Sequence, residues 1–283
     1  MRAICLLCLV LGYGFGLVQT AYLYSNARNI DIKKEGSGNA GTTNMIRVMG
    51  WKAGVITFVC DIAKLVAAVL LAKWVFCDVI SLPIDKAAIV LYTGFGVILG
   101  HNFPFYLHFK GGKGIAVSAA LIVCLWDWKL MVIGLVFFFA SVLITKYISL
   151  GSILMLASVA IAYVIFIYTD LTHVTKGWQA DCTILIIAIA ALGIFMHREN
   201  IKRLIHGNEN KFSASQQNKE AKEAGEFVHQ QVEVNKAERK VYKEEKKDAK
   251  SEYRQVKKEA KEEYKQVLHK KPTKYRKKKY GDE

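Results

Sequence analysis

Residues 53–77 read AGVITFVCDIAKLVAAVLLAKWVFC, an apolar block in which the charged side chains are Asp61, Lys64 and Lys73. About 20 predominantly apolar residues are enough for a helix to cross a bilayer, so this block predicts a transmembrane helix. Asp61 and Lys64 lie three residues apart and hence on one face of that helix. A charge inside a membrane faces a partner or a wet cavity. The sequence favours a structural ion pair and a catalytic role equally.

Similar blocks recur along the first three quarters of the chain, which has 283 residues, 53% of them apolar. The blocks cover residues 3–24, 53–77, 87–103, 115–127, 130–146, 147–169 and 182–196. The fourth and the seventh are short for an untilted crossing. We therefore predict an all-α polytopic membrane protein with about seven transmembrane helices.

The composition changes sharply after the last block. Residues 1–211 are predicted to form a membrane-embedded domain, and residues 212–283 a charged tail that is helical or disordered. Tyrosines recur every eleven residues in the tail, at Tyr242, Tyr253, Tyr264 and Tyr275. Pro272 is expected to end any helix there, and residues 274–280, KYRKKKY, form a basic patch. The tail is predicted to bind anionic lipid or another protein, and no specific nucleic acid.

The distribution of charge in the loops predicts the topology. Basic side chains are concentrated in residues 25–52, in residues 104–113 and in the segment that follows residue 196. The remaining loops, 78–86, 127–129 and 170–181, are richer in aspartate. Because basic loops stay in the cytosol, we expect a plasma-membrane protein with its N-terminus outside and its tail inside. The three basic segments then share the cytosolic face.

The first basic loop contains a stretch rich in glycine and in short polar side chains, GSGNAGTTNMIR at residues 36–47. Glycines let backbone N–H groups turn toward an anion, and an arginine can hold a phosphate with two hydrogen bonds. The candidate residues are Ser37, Gly38, Asn39, Thr43, Asn44 and Arg47. On this segment alone, an anion-binding loop and an ordinary loop between two membrane helices are equally favoured.

A second stretch, GHNFPFYLHFKGGKG at residues 100–114, combines a histidine at a helix end with a glycine-rich loop. Backbone N–H groups at the start of the next helix, beside a lysine charge, suit a phosphate. The candidate phosphate-binding residues are Lys110, Gly111, Gly112, Lys113 and Gly114. The stretch lacks the P-loop pattern, so nucleotide hydrolysis is not predicted. A flexible juxtamembrane turn with a structural His101 is the alternative.

Two further segments bring polar side chains to the same predicted face. In HRENIKRLIHGNENK, residues 197–211, helical spacing places His197 and Asn200 on one face. The alternative is an amphipathic helix that binds lipid head groups. The turn at residues 146–152, KYISLGS, offers the hydroxyls of Ser149 and Ser152, either to a substrate or to neighbouring helices.

The combined chemistry favours an enzyme that joins a soluble phosphorylated molecule to a lipidic one. The polar stretches offer phosphate-binding groups and histidines without an acidic metal cluster, so we predict no metal and no cofactor. A transporter or a lipid-binding protein for phosphorylated molecules is the alternative. It would need polar groups near the middle of the membrane, whereas here they lie at one rim.

The ordered segments SGNAGTTNMIRVMG, GHNFPFYLHFKGGKGIAV, KYISLGSI and HRENIKRLIHGNE resemble the successive motifs of the PlsY family over residues 1–211. That family consists of bacterial membrane enzymes that acylate glycerol 3-phosphate. The resemblance implies transfer of a fatty acyl group from acyl phosphate to the 1-hydroxyl of glycerol 3-phosphate. The products would be lysophosphatidate and phosphate, in the first step of phospholipid synthesis.

The resemblance also implies roles for individual residues. Catalytic roles fall to Ser37, Arg47, His101, His197 and Asn200. The loop at 111–114, with Lys113, would hold substrate phosphate, while Asp61, Lys64 and Glu209 would be structural. Direct attack of the glycerol hydroxyl on the acyl carbonyl is favoured, with the donor's phosphate or His101 taking the proton. A covalent acyl-Ser37 is the less favoured alternative, because the sequence spacing indicates no dyad partner.

Overall fold

The computed structural model describes residues 2–212 and 214–269, and these residues form helices joined by short loops. The α-helices are α1 Arg2–Gly16, α2 Thr20–Asn26, α3 Thr42–Lys73, α4 Lys86–Asn102, α5 Ile115–Cys124, α6 Trp128–Thr145, α7 Ile148–Tyr168, α8 Gln179–Met196, α9 Arg198–Ile205 and α10 Ala214–His269. A π-helical segment, Trp74–Val79, extends α3, and 3-10 turns cover Phe105–Leu107 and Lys176–Trp178.

Six helical stretches of the described residues are long and apolar enough to cross a membrane. They are Arg2–Asn26, Thr42–Val79, Lys86–Leu107, Trp128–Thr145, Ile148–Tyr168 and Lys176–Met196. The predicted fourth span is α5, which has only 10 residues and is about 15 Å long. Exposed Trp126 and Trp128 follow it, in the manner of aromatic anchors at a membrane interface.

The short helix α5 nevertheless connects the two ends of the bundle. Lys113, just before α5, donates a hydrogen bond to Asn200 in α9. Lys129, at the start of α6, donates to the carbonyl oxygen of Leu171, in the loop between α7 and α8, at 2.6 Å. These two loops lie at opposite ends of α8. The described residues thus contain six helical stretches of full span length and the shorter α5, in line with the predicted count of about seven.

The predicted first span is broken, and α1 packs unusually closely against α4. Gly12 and Gly16 in α1, and Gly96 and Gly100 in α4, have the Gly-x-x-x-Gly spacing that lets helix backbones approach. A Cβ atom on Gly96 would overlap the carbonyl oxygen of Leu9. The break at residues 17–19 then lies beside the end of α4, where the Gln19 amide donates to the His101 carbonyl oxygen at 2.9 Å.

We expect Gly96→Leu to destabilise the bundle, because the new side chain meets rigid backbone of α1 rather than a movable side chain. Overpacking of this kind costs about 1–3 kcal/mol or more. Thermal unfolding in detergent measures the loss. Gly14→Leu in α1 is the matched control, since nothing lies within 4 Å of a Cβ at that glycine. Equal melting temperatures for the two variants would contradict the close packing.

The largest apolar core lies among α3, α4, α5, α7 and α8, where Leu65, Leu91, Leu121 and Tyr163 are fully buried. This core anchors the helix ends that carry the polar loops.

The chain divides into two units, Met1–Val228 and His229–Glu283. The domain boundary after residue 211 stays a prediction from composition. Tyr242, Tyr253 and Tyr264 lie in α10 and are exposed. Tyr275, Pro272 and the basic patch at 274–280 lie outside the described residues.

Candidate active site

The glycine-rich loop before α5 folds back onto the end of α4. The Gly111 N–H donates to the Asn102 carbonyl oxygen at 3.0 Å, and the Gly112 N–H donates to that of His101 at 3.1 Å. A side chain at Gly112 would overlap the His101 ring, and Gly114 has a φ of +73°. Only glycine meets these demands without strain. The fold-back fixes where the next side chain, Lys113, emerges.

Lys113 belongs to a polar cluster built around the carboxylate of Glu209. The Lys113 ammonium donates to Asn200 Oδ1, and Asn200 Nδ2 donates to Glu209 Oε1 at 2.7 Å. Ser149 Oγ donates to the same Oε1 at 2.9 Å. Arg203 Nε donates to Glu209 Oε2 at 2.7 Å. Because the Glu209 side chain is only 5% exposed, it holds three donors in fixed positions.

The Lys113 ammonium is close enough to the charges of Arg203 and Glu209 to be shifted by both. Burial lowers the pKa of the Lys113 ammonium to about 8. The Arg203 charge acts in the same direction, and the Glu209 carboxylate opposes it. A bound phosphate would relieve the crowding of positive charge.

Buried His197 is held at the end of α8. Its Nδ1–H donates to the Gly193 carbonyl oxygen at 2.7 Å, which leaves Nε2 as a hydrogen-bond acceptor in the neutral ring. Burial lowers the pKa of His197, the bond to Gly193 opposes that shift, and the Lys113 charge adds to it. The lowered pKa of His197 favours the neutral ring.

The lowered pKa of Lys113 predicts the pH dependence of catalysis. Lys113 is charged below a pH of about 8 and neutral above it, so kcat/KM for an anionic substrate should fall above pH 8. The phosphate itself stays dianionic there, since its second pKa is about 6. Initial rates from pH 6 to 10 measure this fall, which is the alkaline limb of the pH profile. Lys113→Arg stays charged throughout and should move the limb upward. A limb at the same pH in both proteins would show that another group causes it.

A second polar cluster lies deeper, between α3 and α4. Lys64 Nζ donates to Asp61 Oδ1 at 2.7 Å and is 2.8 Å from His101 Nδ1. Both charged side chains are about 5% exposed or less. The sequence left a structural and a catalytic role open for Asp61 and Lys64, and the structure shows them as a buried ion pair.

The first basic loop is organised by Asn44. Its Oδ1 accepts the Ser37 N–H at 2.8 Å, and its Nδ2 donates to the carbonyl oxygens of Ile32 at 3.3 Å and Glu35 at 3.0 Å. Gly36 and Gly38 have positive φ values, 58° and 68°, as the tight turn requires. The amide of Asn44 thus shapes the loop and leaves the Ser37 side chain exposed. The predicted catalytic role of Ser37 stays a prediction.

The predicted site residues fall into joined groups. Lys113, Ser149, His197, Asn200 and Glu209 come together in one cluster. His101 joins that cluster through Gly112. The first loop meets the second where Lys33 Nζ donates to the Leu107 carbonyl oxygen at 3.4 Å. The remaining predicted residues differ in their exposure. Three are exposed (Gly38, Thr43 and Lys110), and two are half-buried (Asn39 and Arg47). Ser152 is buried, and its hydroxyl donates to the Ile148 carbonyl oxygen at 2.9 Å.

Three residues of this region were missed as site candidates. Arg203 pairs with Glu209, although its basic sequence context also suits lipid binding. Lys33 lies near Lys110, and burial lowers its pKa. Asn102 is fully buried with both amide atoms unpartnered. The signal for Asn102 was its position beside His101 at a helix end.

Comparison with known proteins identifies the family of this chain. Residues 6–207 match the family described as glycerol-3-phosphate acyltransferase. A glycerol-3-phosphate acyltransferase from Thermoanaerobacter sp. (strain X514) is 38% identical over 203 residues, 71% of this chain and 92% of that protein. The enzyme from Shouchella clausii (strain KSM-K16) is 37% identical over 202 residues, with the same shares of each chain.

Two crystal structures of PlsY, an integral membrane glycerol 3-phosphate acyltransferase, resemble this fold. The form with glycerol 3-phosphate gives a TM-score of 0.62 and the form with lysophosphatidic acid 0.59. Both are 29% identical in sequence and cover 75% of this chain and 97% of the other. The chain therefore belongs to the PlsY family of glycerol-3-phosphate acyltransferases, and it is an integral multi-pass membrane enzyme of that family.

Proposed function

We propose that the acyl donor is acyl phosphate, that the acceptor is the 1-hydroxyl of glycerol 3-phosphate, and that the products are lysophosphatidate and inorganic phosphate. The observation that carries this proposal is the cluster around Glu209: Arg203 pairs with this carboxylate, and the Lys113 ammonium and the buried His197 ring both lie near it. Such a cluster suits anionic oxygens of both substrates at the edge of an apolar bundle.

The reaction balances without an added reagent. The glycerol oxygen forms a bond to the acyl carbonyl carbon, and the bond from that carbon to the bridging phosphate oxygen breaks. The hydroxyl proton leaves with the departing phosphate. Phosphate is a good leaving group, so positioning and charge stabilisation are the main tasks of the protein.

We assign charge stabilisation to Lys113 and Arg47, and orientation of a substrate to Ser37 and the backbone N–H groups of the glycine-rich loop. Asn200 fixes the Lys113 ammonium. The Nε2 acceptor of His197 is suited to the glycerol hydroxyl. These roles are supported by the family resemblance together with the hydrogen bonds described above.

The surroundings of His101 support proton transfer to the donor's own phosphate. Its Nδ1 faces the Lys64 ammonium at 2.8 Å, so that nitrogen accepts a hydrogen bond and the proton resides on Nε2. The Nε2 edge lies against Gly112. Neither nitrogen is then free to take a proton from a substrate.

We further propose that the end of the bundle carrying the site faces the cytosol of a cell that makes phospholipid at its plasma membrane. The basic loops at that end support this orientation. Glycerol 3-phosphate then arrives from the aqueous side, and acyl phosphate and product exchange with the membrane. We also propose that the tail binds anionic lipid or another protein.

A turnover assay tests the donor. Purified protein is given labelled glycerol 3-phosphate with either palmitoyl phosphate or palmitoyl-CoA, and lysophosphatidate is measured. We expect product from the acyl phosphate alone. Product from palmitoyl-CoA at an equal rate would overturn the proposed donor.

Removing the tail should spare catalysis. Phe212 N–H donates to the Lys146 carbonyl oxygen at 2.5 Å, so the informative deletion keeps Phe212 and removes residues 213–283. We expect kcat/KM in detergent to stay within about twofold of the full chain, because no residue of the site is removed. Deletion of residues 212–283 is the matched comparison. Complete loss of turnover in the shorter deletion would place the tail within the catalytic domain.

A further inference from the structure

The buried pair of Asp61 and Lys64 has a cost that its own attraction does not explain. Both side chains are 5% exposed or less and lie 2.7 Å apart. Replacing a buried ion pair with apolar residues is often neutral or stabilising, and charges inside a membrane usually have a task.

Lys64 has three N–H donors, and each has an acceptor. They go to Asp61 Oδ1 at 2.7 Å, to the Val18 carbonyl oxygen at 2.9 Å and to His101 Nδ1 at 2.8 Å. Val18 lies in the break between α1 and α2, and His101 lies in the last turn of α4. One ammonium group in α3 thus holds the break between α1 and α2 and the end of α4.

The bond to His101 fixes the plane of the imidazole ring, and the ring supports the glycine-rich loop. A Cβ atom on Gly112 would overlap the ring, and the Gly112 N–H donates to the His101 carbonyl oxygen at 3.1 Å. Tilting the ring would therefore displace the backbone next to Lys113. The Gln19 amide donates to the same carbonyl oxygen at 2.9 Å.

We propose that Asp61 and Lys64 are positioning residues for glycerol 3-phosphate: through the His101 ring they set the position of Gly112, and so of the Lys113 ammonium. This rests on the proposed function of Lys113 as a phosphate ligand. In this proposal His101 supports the glycine-rich loop and takes no part in proton transfer.

The test uses the double variant Asp61→Asn/Lys64→Met, which removes both charges together. A displacement of about 1 Å at a reacting group can cost about 100-fold. We expect kcat/KM for glycerol 3-phosphate to fall about 10-fold to 100-fold, mainly through KM, with KM for acyl phosphate little changed. Thr57→Val is the matched control in α3, because Thr57 is also buried and its hydroxyl donates within the helix to Ala53. It should keep wild-type kinetics.

Hydrogen exchange of the peptide covering residues 110–114 tests the same idea without turnover. We expect faster exchange in the double variant than in Thr57→Val. His101→Gln should raise KM similarly, and adding it to the double variant should change KM no further, because both act through one ring.

Unchanged exchange and unchanged KM in a folded double variant would overturn the proposal. If that variant does not fold, wild-type KM and exchange in His101→Gln would overturn it. An inactive wild-type protein would instead count against the proposed function, and the exchange result would still decide on positioning.

Discussion

Lys113→Met should lower kcat/KM for acyl transfer to glycerol 3-phosphate by about 100-fold to 1,000-fold, which is the usual cost of losing one preorganised donor at a developing negative charge. The ammonium is largely buried, and Asn200 orients it, so solvent cannot replace it. Methionine has a similar length and removes the charge. The measurement is the rate of lysophosphatidate formation as a function of glycerol 3-phosphate concentration.

Lys202→Met is the matched control for this variant. Lys202 lies in α9, at the same end of the bundle, with its side chain 67% exposed and paired at 3.3 Å with Glu199. It should retain activity within about twofold, because exposed ion pairs contribute little. Equal losses in both variants would point to general surface charge. An active Lys113→Met would exclude Lys113 as a phosphate ligand.

Glu209→Ala should give the largest loss of stability among the polar variants. It leaves the Asn200 amide, the Ser149 hydroxyl and the Arg203 guanidinium without their shared acceptor. Removing one partner of a buried ion pair costs about 3–5 kcal/mol. Because the Arg203 side chain is 38% exposed, we expect about 3 kcal/mol, the lower end, together with loss of turnover.

Thermal unfolding and turnover in the same detergent measure both effects of the Glu209 substitution. Glu209→Gln keeps an acceptor for Ser149 and Asn200 and should fall between Glu209→Ala and the wild type. Glu199→Ala, in which an acidic side chain 58% exposed is removed, should melt like the wild type. A Glu209→Ala protein with normal melting and turnover would remove Glu209 from the centre of the cluster.

The membrane fold was predictable because apolar block length is a direct physical requirement of the bilayer. Residues 53–77 indicated a span on length alone, and α3 contains most of them. The break after Gly16 was not predicted, because Gln19 and Thr20 interrupt the apolar block 3–24 by only two polar residues. It follows from the approach of α1 to α4, which depends on glycines far apart in sequence. The helix α5 is also shorter than a normal span, and only contacts at its two ends reveal that it connects them.

The site was predictable as a set of loops and not as a set of contacts. Glycine and lysine in GGKG indicated phosphate chemistry, and helical spacing placed His197 beside Asn200. The bond from Lys113 to Asn200 joins residues 87 positions apart, and no local pattern encodes it. The organising role of Asn44 and the contact of Lys64 with His101 likewise arise from packing between separate helices.

The central claim is that the acyl group passes directly from acyl phosphate to glycerol 3-phosphate at this cluster, with no acyl-enzyme. The most direct measurement is rapid mixing of the enzyme with acyl phosphate, first alone and then with labelled glycerol 3-phosphate, following phosphate release and the mass of the protein. The account predicts no burst of phosphate and no mass increase before the acceptor is added, and then phosphate and lysophosphatidate at equal rates. A burst of one phosphate per enzyme, with an acyl adduct that is lost in Ser37→Ala, would contradict it.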